Sequence, residues 1–167
     1  EDPSVRLTLA EVYQQQGNLD AARTEVQEGL EANPDHVPLL YRRSQLYTDD
    51  LDAYRTYLAE VLRRASANVV PRLDYLQALT DASMPDSGLV QVEAIRSQWP
   101  PLTGQAATLF EETRTQLLAG NVEQARVQAR FFNNLLKSTT NYQTGLRLLG
   151  IRGDALVGTP LISAPSV

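Results

Sequence analysis

The sequence contains no cysteine, a single histidine and no long apolar run, and each absence removes a class of function. Without cysteine the chain can form neither a disulfide nor a thiolate site for catalysis or zinc. His36 has no second histidine in this chain with which to bind a metal or relay a proton. No stretch of about 18 consecutive apolar residues occurs, so no segment is expected to span a membrane. We therefore expect no catalytic residue, no metal and no cofactor.

Positive charge is also scarce. The chain has 15 Lys and Arg residues against 20 Asp and Glu residues, which gives a formal net charge of -5. Nucleic-acid-binding domains usually carry a basic patch, and anionic membranes attract basic segments. Glycine-rich loops of the kind that bind phosphate groups are absent as well. We expect the partner of this chain to be another protein or peptide and not a nucleic acid.

What the sequence does contain is a segment repeated at intervals of about 34 residues, the spacing of a helical-hairpin repeat. Residues 17–26 resemble residues 120–129, since both begin with Gly-Asn and continue into a helix-forming stretch with Ala-Arg. Shorter copies begin at Asp50 and, more weakly, at Gly88. These copies place turns near positions 17, 49, 87 and 120 and predict a longer inner turn in the third unit. Neither helix of such a hairpin can bury its apolar stripe alone, so successive hairpins are expected to stack.

The first unit has small residues where two helices must approach closely, a glycine in its turn and a proline after its second helix. Its signature residues, with the matching glycine and alanine of the fourth unit, are Leu9, Ala10, Tyr13, Gly17, Ala22, Val26, Gly29, Pro34, Gly120 and Ala125. On these residues the segment 4–34 resembles a tetratricopeptide repeat. The resemblance implies an all-α, right-handed α-solenoid of about four hairpins. Elsewhere the pattern is degenerate, since Tyr54 stands where the family has a small residue.

Apolar periodicity and turn residues predict nine helices. They are expected at about 4–16, 19–32, 36–48, 51–66, 69–82, 88–98, 103–119, 122–137 and 139–150. The first eight group into the units 4–34, 36–66, 69–100 and 103–137, and the ninth is expected to cap the apolar end of the stack. Residues 151–167, which are rich in Gly, Pro and Ser, predict an irregular tail.

A few single residues carry local predictions. Asn18 and Asn121 each precede a predicted helix and are expected to cap it. Trp99, which stands before two prolines, is expected to staple a turn between units. Phe131 and Phe132 are adjacent in a helix, so one is expected in the core and the other on the surface.

In tetratricopeptide arrays the first helix of each hairpin lines a concave groove that binds partners. The resemblance therefore places partner-binding residues on the first helices of units one, two and four: Leu7, Glu11, Gln14, Gln15, Tyr41, Gln45, Thr48, Phe110, Arg114 and Leu117. This mixture of aromatic, apolar and amide groups suits a peptide or a helix. One subclass grips a C-terminal carboxylate with Lys, Asn and Arg here. Leu7 and Glu11 do not fit that clamp. The alternative that Tyr41 and Phe110 only pack between hairpins stays open.

Three functions remain open at this point. The first is a non-catalytic scaffold that binds a partner peptide or subunit in the groove. The second is an accessory subunit or internal domain of a larger complex, whether or not that complex is associated with a membrane, and the initial Glu1 and the irregular tail motivate it. An extracytoplasmic or membrane-peripheral location is favoured slightly over a cytoplasmic one. The third is a helical domain that binds a small ligand or a glycan. Homo-oligomerisation is compatible with each of them.

Overall fold

The computed structural model describes residues 2–151, and within them the chain forms nine α-helices, as the periodicity predicts. In chain order they are α1 (Pro3–Gln15), α2 (Leu19–Ala32), α3 (Val37–Gln45), α4 (Leu51–Arg64), α5 (Val69–Asp81), α6 (Pro85–Gln98), α7 (Gly104–Leu118), α8 (Val122–Leu136) and α9 (Thr140–Leu148). The expected all-α helical-repeat fold is confirmed. Of the predicted tail at 151–167, all residues after Ile151 lie outside the described part.

The turns of the first and fourth units have the same backbone geometry. Gly17 and Gly120 have φ angles of 76° and 70°, the left-handed region that glycine adopts without strain. Asn18 caps α2 as expected, because its side chain accepts a hydrogen bond from the Ala21 amide at 3.2 Å. Asn121 occupies the N-cap position of α8 as expected, but its side chain makes no capping hydrogen bond. Its amide nitrogen instead donates to the Gln116 side chain at 3.0 Å.

The third unit corrects two expectations from the sequence. Its inner turn lies at 82–84 and is as short as that of the first unit, with Ser83 in the left-handed conformation at φ 57°. The longer inner turn belongs to the second unit, at 46–50. Gly88 is not a turn residue but lies buried inside α6, which already begins at Pro85. A Cβ at Gly88 would lie 3.2 Å from Leu117 Cδ2, so glycine here lets α7 approach α6 closely.

Small residues bring the N-terminal hairpins together. Ala10 of α1 and Ala22 of α2 are fully buried, and α1 packs along the length of α2. Gly29 of α2 faces α3, because a Cβ added there would lie only 2.7 Å from Leu39 Cδ1. The signature residues of the first unit therefore act through packing between adjacent helices, as close-packed interiors require.

Helix α5 is the centre of the C-terminal part. It packs against α4, α6, α8 and α9. Its buried residues, which occur on every side of the helix, are Val69, Val70, Pro71, Arg72, Leu73, Leu76, Ala78, Leu79 and Thr80. An apolar helix surrounded in this way is a core helix and not one wall of an open stack.

The last helix, α9, falls within the predicted range 139–150. It lies against the beginning of α5, where the Asn68 side-chain amide donates to the Gly145 carbonyl oxygen at 3.0 Å. Beyond α9, a Cβ at Gly150 would lie 2.8 Å from Leu7 of α1 and 3.3 Å from Pro38 of α3. The chain thus returns to the side of α5, α3 and α1, and Tyr142, Leu146 and Leu149 are buried in the core.

Candidate protein-interaction surface

The C-terminal halves of α1 and α3 form a polar surface around one guanidinium group. Arg42 Nη1 donates to Gln14 Oε1 at 2.9 Å, and Arg42 Nη2 lies 3.9 Å from Glu11 Oε1. The Arg42 side chain is largely buried, at 12% exposure, so its position is fixed between the two helices. Exposed salt bridges add little stability, but a held guanidinium keeps the neighbouring amide and carboxylate groups in place.

Gln15 of α1 and Gln45 of α3 are further predicted groove residues, whereas Thr48 lies in the turn after α3, because that helix ends at Gln45 and does not extend to 48 as predicted. Gln15 and Thr48 are exposed, while Gln45 is partly buried and donates to the Ser44 hydroxyl oxygen at 3.3 Å. We call Glu11, Gln14, Gln15, Arg42, Gln45 and Thr48 the α1–α3 polar surface. Leu7 stands at its edge and is partly covered by Gly150. The structure therefore joins the candidates Glu11 and Gln14 of the first unit to Arg42 of the second.

Tyr41 lies within the core, at 4% exposure, and donates its hydroxyl hydrogen to Asp74 Oδ2 at 2.7 Å. Burial raises the pKa of the Asp74 carboxyl to about 6, although the Tyr41 hydrogen bond and the charge of Lys137 act in the opposite direction. Burial also raises the pKa of Tyr142, on α9, to about 12, and the charge of Asp74 adds to that rise. This Asp74–tyrosine cluster joins α3, α5 and α9.

The three candidates on α7 lie in a different environment, against α6 and α8. Phe110 is buried at 5% exposure, and its ring packs edge-to-face against Phe132, with the centroids 5.8 Å apart. Leu117, at 3% exposure, packs beneath Gly88 of α6. Arg114 Nε donates to Glu93 Oε1 at 2.6 Å. The aromatic and apolar candidates Tyr41, Phe110 and Leu117 are thus core residues in this structure, so their proposed contact with a partner stays a prediction that their burial does not favour.

Two residues that matter here were not selected from the sequence as site residues. Arg42 is one of two adjacent arginines, and nothing local distinguishes it from Arg43 as the one that reaches Glu11 of α1. Asp74 gives a clearer signal, since it is an acidic residue inside the apolar run of α5. A carboxylate in such a run must find a buried hydrogen-bond donor. Only the fold shows that this donor is Tyr41, 33 positions away.

An apolar cavity of about 460 Å³ lies beside the linker between α6 and α7. Trp99, Leu102 and Leu135 contribute to its wall. The indole Nε1 of Trp99 donates to the Ala67 carbonyl oxygen at 3.3 Å, which confirms that Trp99 fastens two inter-unit linkers. The adjacent phenylalanines divide as expected, since Phe132 is fully buried and Phe131 is 57% exposed.

The composition and helix lengths of residues 2–151 bear on other functions. These residues hold no group of three or more His, Cys, Asp and Glu side chains able to bind a metal ion. None of their helices has the length and apolar character needed to cross a bilayer.

Comparison with known families agrees with the geometry of the first hairpin. Residues 1–42 match the family model described as a tetratricopeptide repeat (TPR). This match supports a TPR-like repeat family. No curated protein matches the chain. TPR repeats generally mediate protein–protein interactions and are typically non-catalytic, so protein partners are the class of ligand that the family suggests.

Proposed function

We propose that this TPR-like chain is a non-catalytic interaction or assembly module that binds a segment of a partner protein across the α1–α3 polar surface. The observation that carries the proposal is the fixed Arg42 guanidinium, which holds Gln14 and Glu11 between α1 and α3. Gln15 is exposed next to Gln14, and Thr48 is exposed in the turn after α3. These groups offer hydrogen-bond donors and acceptors from two adjacent helices and from the turn that follows α3. Such groups are suited to the backbone and polar side chains of a bound peptide.

The buried cluster beneath this surface supports the same role. Tyr41 and Asp74 link α3 to α5, so the helix that carries Arg42 and Gln45 is held in the core of the domain. A binding surface on packed helices keeps its geometry better than one on a loop. The proposal gives the Asp74–tyrosine cluster a structural role and assigns no chemical step to it.

Site-specific photo-crosslinking tests the proposal. A photoreactive amino acid at Gln15 or at Thr48 is expected to cross-link a protein in an extract of the source cells. The matched controls place the same amino acid at Thr24 of α2 and Thr56 of α4, which are also exposed and lie on the second helices of these hairpins. A product at Gln15 and Thr48 that Thr24 and Thr56 do not form supports the proposal. Equal products at all four positions, or none at Gln15 and Thr48, would contradict it.

A second candidate function rests on the cavity beside Trp99. Its volume of about 460 Å³ and its wall of Val69, Leu102 and Leu135 fit a small apolar ligand. Replacing the partly buried Leu135 with Trp should fill the cavity. A compound that raises the melting temperature of the parent but not of Leu135→Trp would favour ligand binding. A library that stabilises neither protein would argue against it.

A further inference from the structure

Helix α1 exposes an apolar stripe. Val5, Leu9 and Val12 are 51%, 38% and 41% exposed, and their spacing places them on one side of the helix. We call these three residues the outer face of α1. Isolated exposed apolar residues are common on protein surfaces, but a stripe at helical spacing is typical of a packing face.

The equivalent face of α3 is an interface inside this chain. The N-caps Asp2 and His36 align, and so do the fully buried Ala10 and Ser44. This alignment places Val5, Leu9 and Val12 at the positions of Leu39, Arg43 and Leu46. Leu39 is 0% exposed and Leu46 is 2% exposed.

Helix α2, the second helix of the preceding hairpin, covers that face of α3. Gly29 of α2 lies directly opposite Leu39, where it leaves no space for a Cβ. Arg23 of α2 donates to the Leu46 carbonyl oxygen through Nη2 at 2.8 Å. The face that α1 exposes is therefore the face through which α3 receives the second helix of a hairpin.

On α7 the face equivalent to the outer face of α1 is polar and exposed to solvent. The turns at Gly17 and Gly120 have matching hydrogen bonds, so α1 and α7 also align residue by residue. Val5, Leu9 and Val12 then correspond to Thr108, Glu112 and Thr115, which are all polar and exposed. Solvent exposure alone therefore does not explain the apolar character of the outer face of α1. Terminal units of repeat arrays usually carry a polar outer face.

We infer that the outer face of α1 receives the second helix of a further TPR-like hairpin, packed as α2 packs on α3. The exposed neighbours Ser4 and Thr8 carry no charge, so the partner is selected by shape and apolar contact. By analogy with Gly29, the incoming helix is expected to present a small residue opposite Val5. This interface does not share residues with the α1–α3 polar surface. The inference is therefore independent of the function proposed above.

A thiol on this face tests the inference, because the sequence contains no other cysteine. In the chain itself, Leu9→Cys is expected to react readily with a soluble thiol reagent. The same substitution is made in a second protein, in which an additional copy of residues 2–35 is fused directly before Asp2. This additional copy of the α1–α2 hairpin is the probe for the outer face of α1. In that protein the reaction at Leu9→Cys is expected to slow by about tenfold or more, since the thiol becomes buried and reacts only after local opening. Glu112→Cys, at the equivalent position of α7, should react equally in both proteins.

Three outcomes decide the question. Protection that disappears when Val5 and Val12 are both replaced by Glu, with helicity retained by circular dichroism, supports the inference. Unchanged reactivity at Leu9→Cys in the duplicated protein overturns it. Protection in the unduplicated chain that grows with protein concentration also overturns it, because the occupant is then a second copy of this chain and not a further hairpin.

Discussion

The two parts of this molecule, α1–α4 and α5–α9, make different use of the same hairpin. In α1–α4 the main contacts join helices that are close in sequence, as expected for a stacked repeat. In α5–α9 two late helices, α8 and α9, return to pack against α5. The first part therefore resembles a section of an array with one uncovered end, whereas the second closes around a central helix.

Glycine shows the difference at the level of single residues. Gly17 lies in a turn, where no atom would lie within 4 Å of an added Cβ, and its role is its positive φ angle. Gly145 lies in a helix, where an added Cβ would meet Asn68 Oδ1 at 2.6 Å and Val70 Cγ2 at 2.9 Å. Turn glycines define the repeat, and packing glycines decide which helices meet.

The largest effect is expected where α7 and α8 pack together. Phe132 is fully buried against Phe110, so Phe132→Ala should lower the free energy of unfolding by about 3 to 5 kcal/mol, through lost apolar burial and an unfilled cavity. Urea unfolding followed by circular dichroism measures the change. Phe131→Ala is the matched control, since Phe131 is 57% exposed and its loss should change little. Equal effects of the two substitutions would show that α8 does not face α5 and α7 as described.

The sequence predicts the helices far better than their tertiary contacts. Helix positions follow from apolar periodicity, prolines and capping residues, which act over a few residues. The return of α9 to α5 depends on Gly145 fitting against Asn68, and no local pattern reports a contact 77 positions apart. The groove prediction treats α1, α3 and α7 alike for the same reason, since the buried face of α7 follows from its contact with Gly88 of α6.

The second prediction concerns the docking of α9. Gly145→Ala should destabilise the fold by about 2 kcal/mol, because the methyl group collides with Asn68 and Val70, and the higher helix propensity of alanine offsets only part of the strain. Differential scanning calorimetry should show a lower melting temperature. Amide hydrogen exchange should also rise in α9 around Tyr142 and Leu146 while α1 and α2 stay protected.

Leu148→Ala provides the control on the same helix, because Leu148 is 67% exposed. It should leave both the melting temperature and the exchange of α9 close to those of the parent. A Gly145→Ala protein as stable as Leu148→Ala would mean that α9 does not lie against Asn68.

A third prediction uses pH to test the Asp74–tyrosine cluster between the two parts. The folded-state pKa of Asp74, about 6, lies above its ordinary value of 3.8. The folded chain therefore binds this proton more tightly than the unfolded chain, and the contribution of Asp74 to stability is lost as the pH rises from about 4 to about 6. Asp74→Asn keeps an oxygen acceptor for Tyr41 without the charge. It should raise the free energy of unfolding at pH 7 by about 1 kcal/mol and flatten this pH dependence.

Tyr41→Phe should make the free energy of unfolding depend more steeply on pH, which is the opposite of the change expected for Asp74→Asn. It removes the hydroxyl donor that lowers the pKa of Asp74, so that pKa should rise and the stability at neutral pH should fall. Urea unfolding at several pH values between 4 and 8 would measure both variants. An Asp74→Asn protein whose profile parallels that of the parent would contradict this assignment.

The smallest expected effect concerns the uncovered end of the array. Val5→Ala should change the free energy of unfolding by less than about 0.5 kcal/mol, because Val5 is 51% exposed in the chain by itself. Leu39→Ala, at the equivalent position of α3, should cost about 2 to 5 kcal/mol, because Leu39 is fully buried against α2. In a protein with residues 2–35 duplicated before Asp2, the loss of unfolding free energy caused by Val5→Ala should rise toward the loss expected when a buried valine is replaced by alanine. A cost that stays small there would mean that α1 and α3 share a sequence pattern but not a packing role.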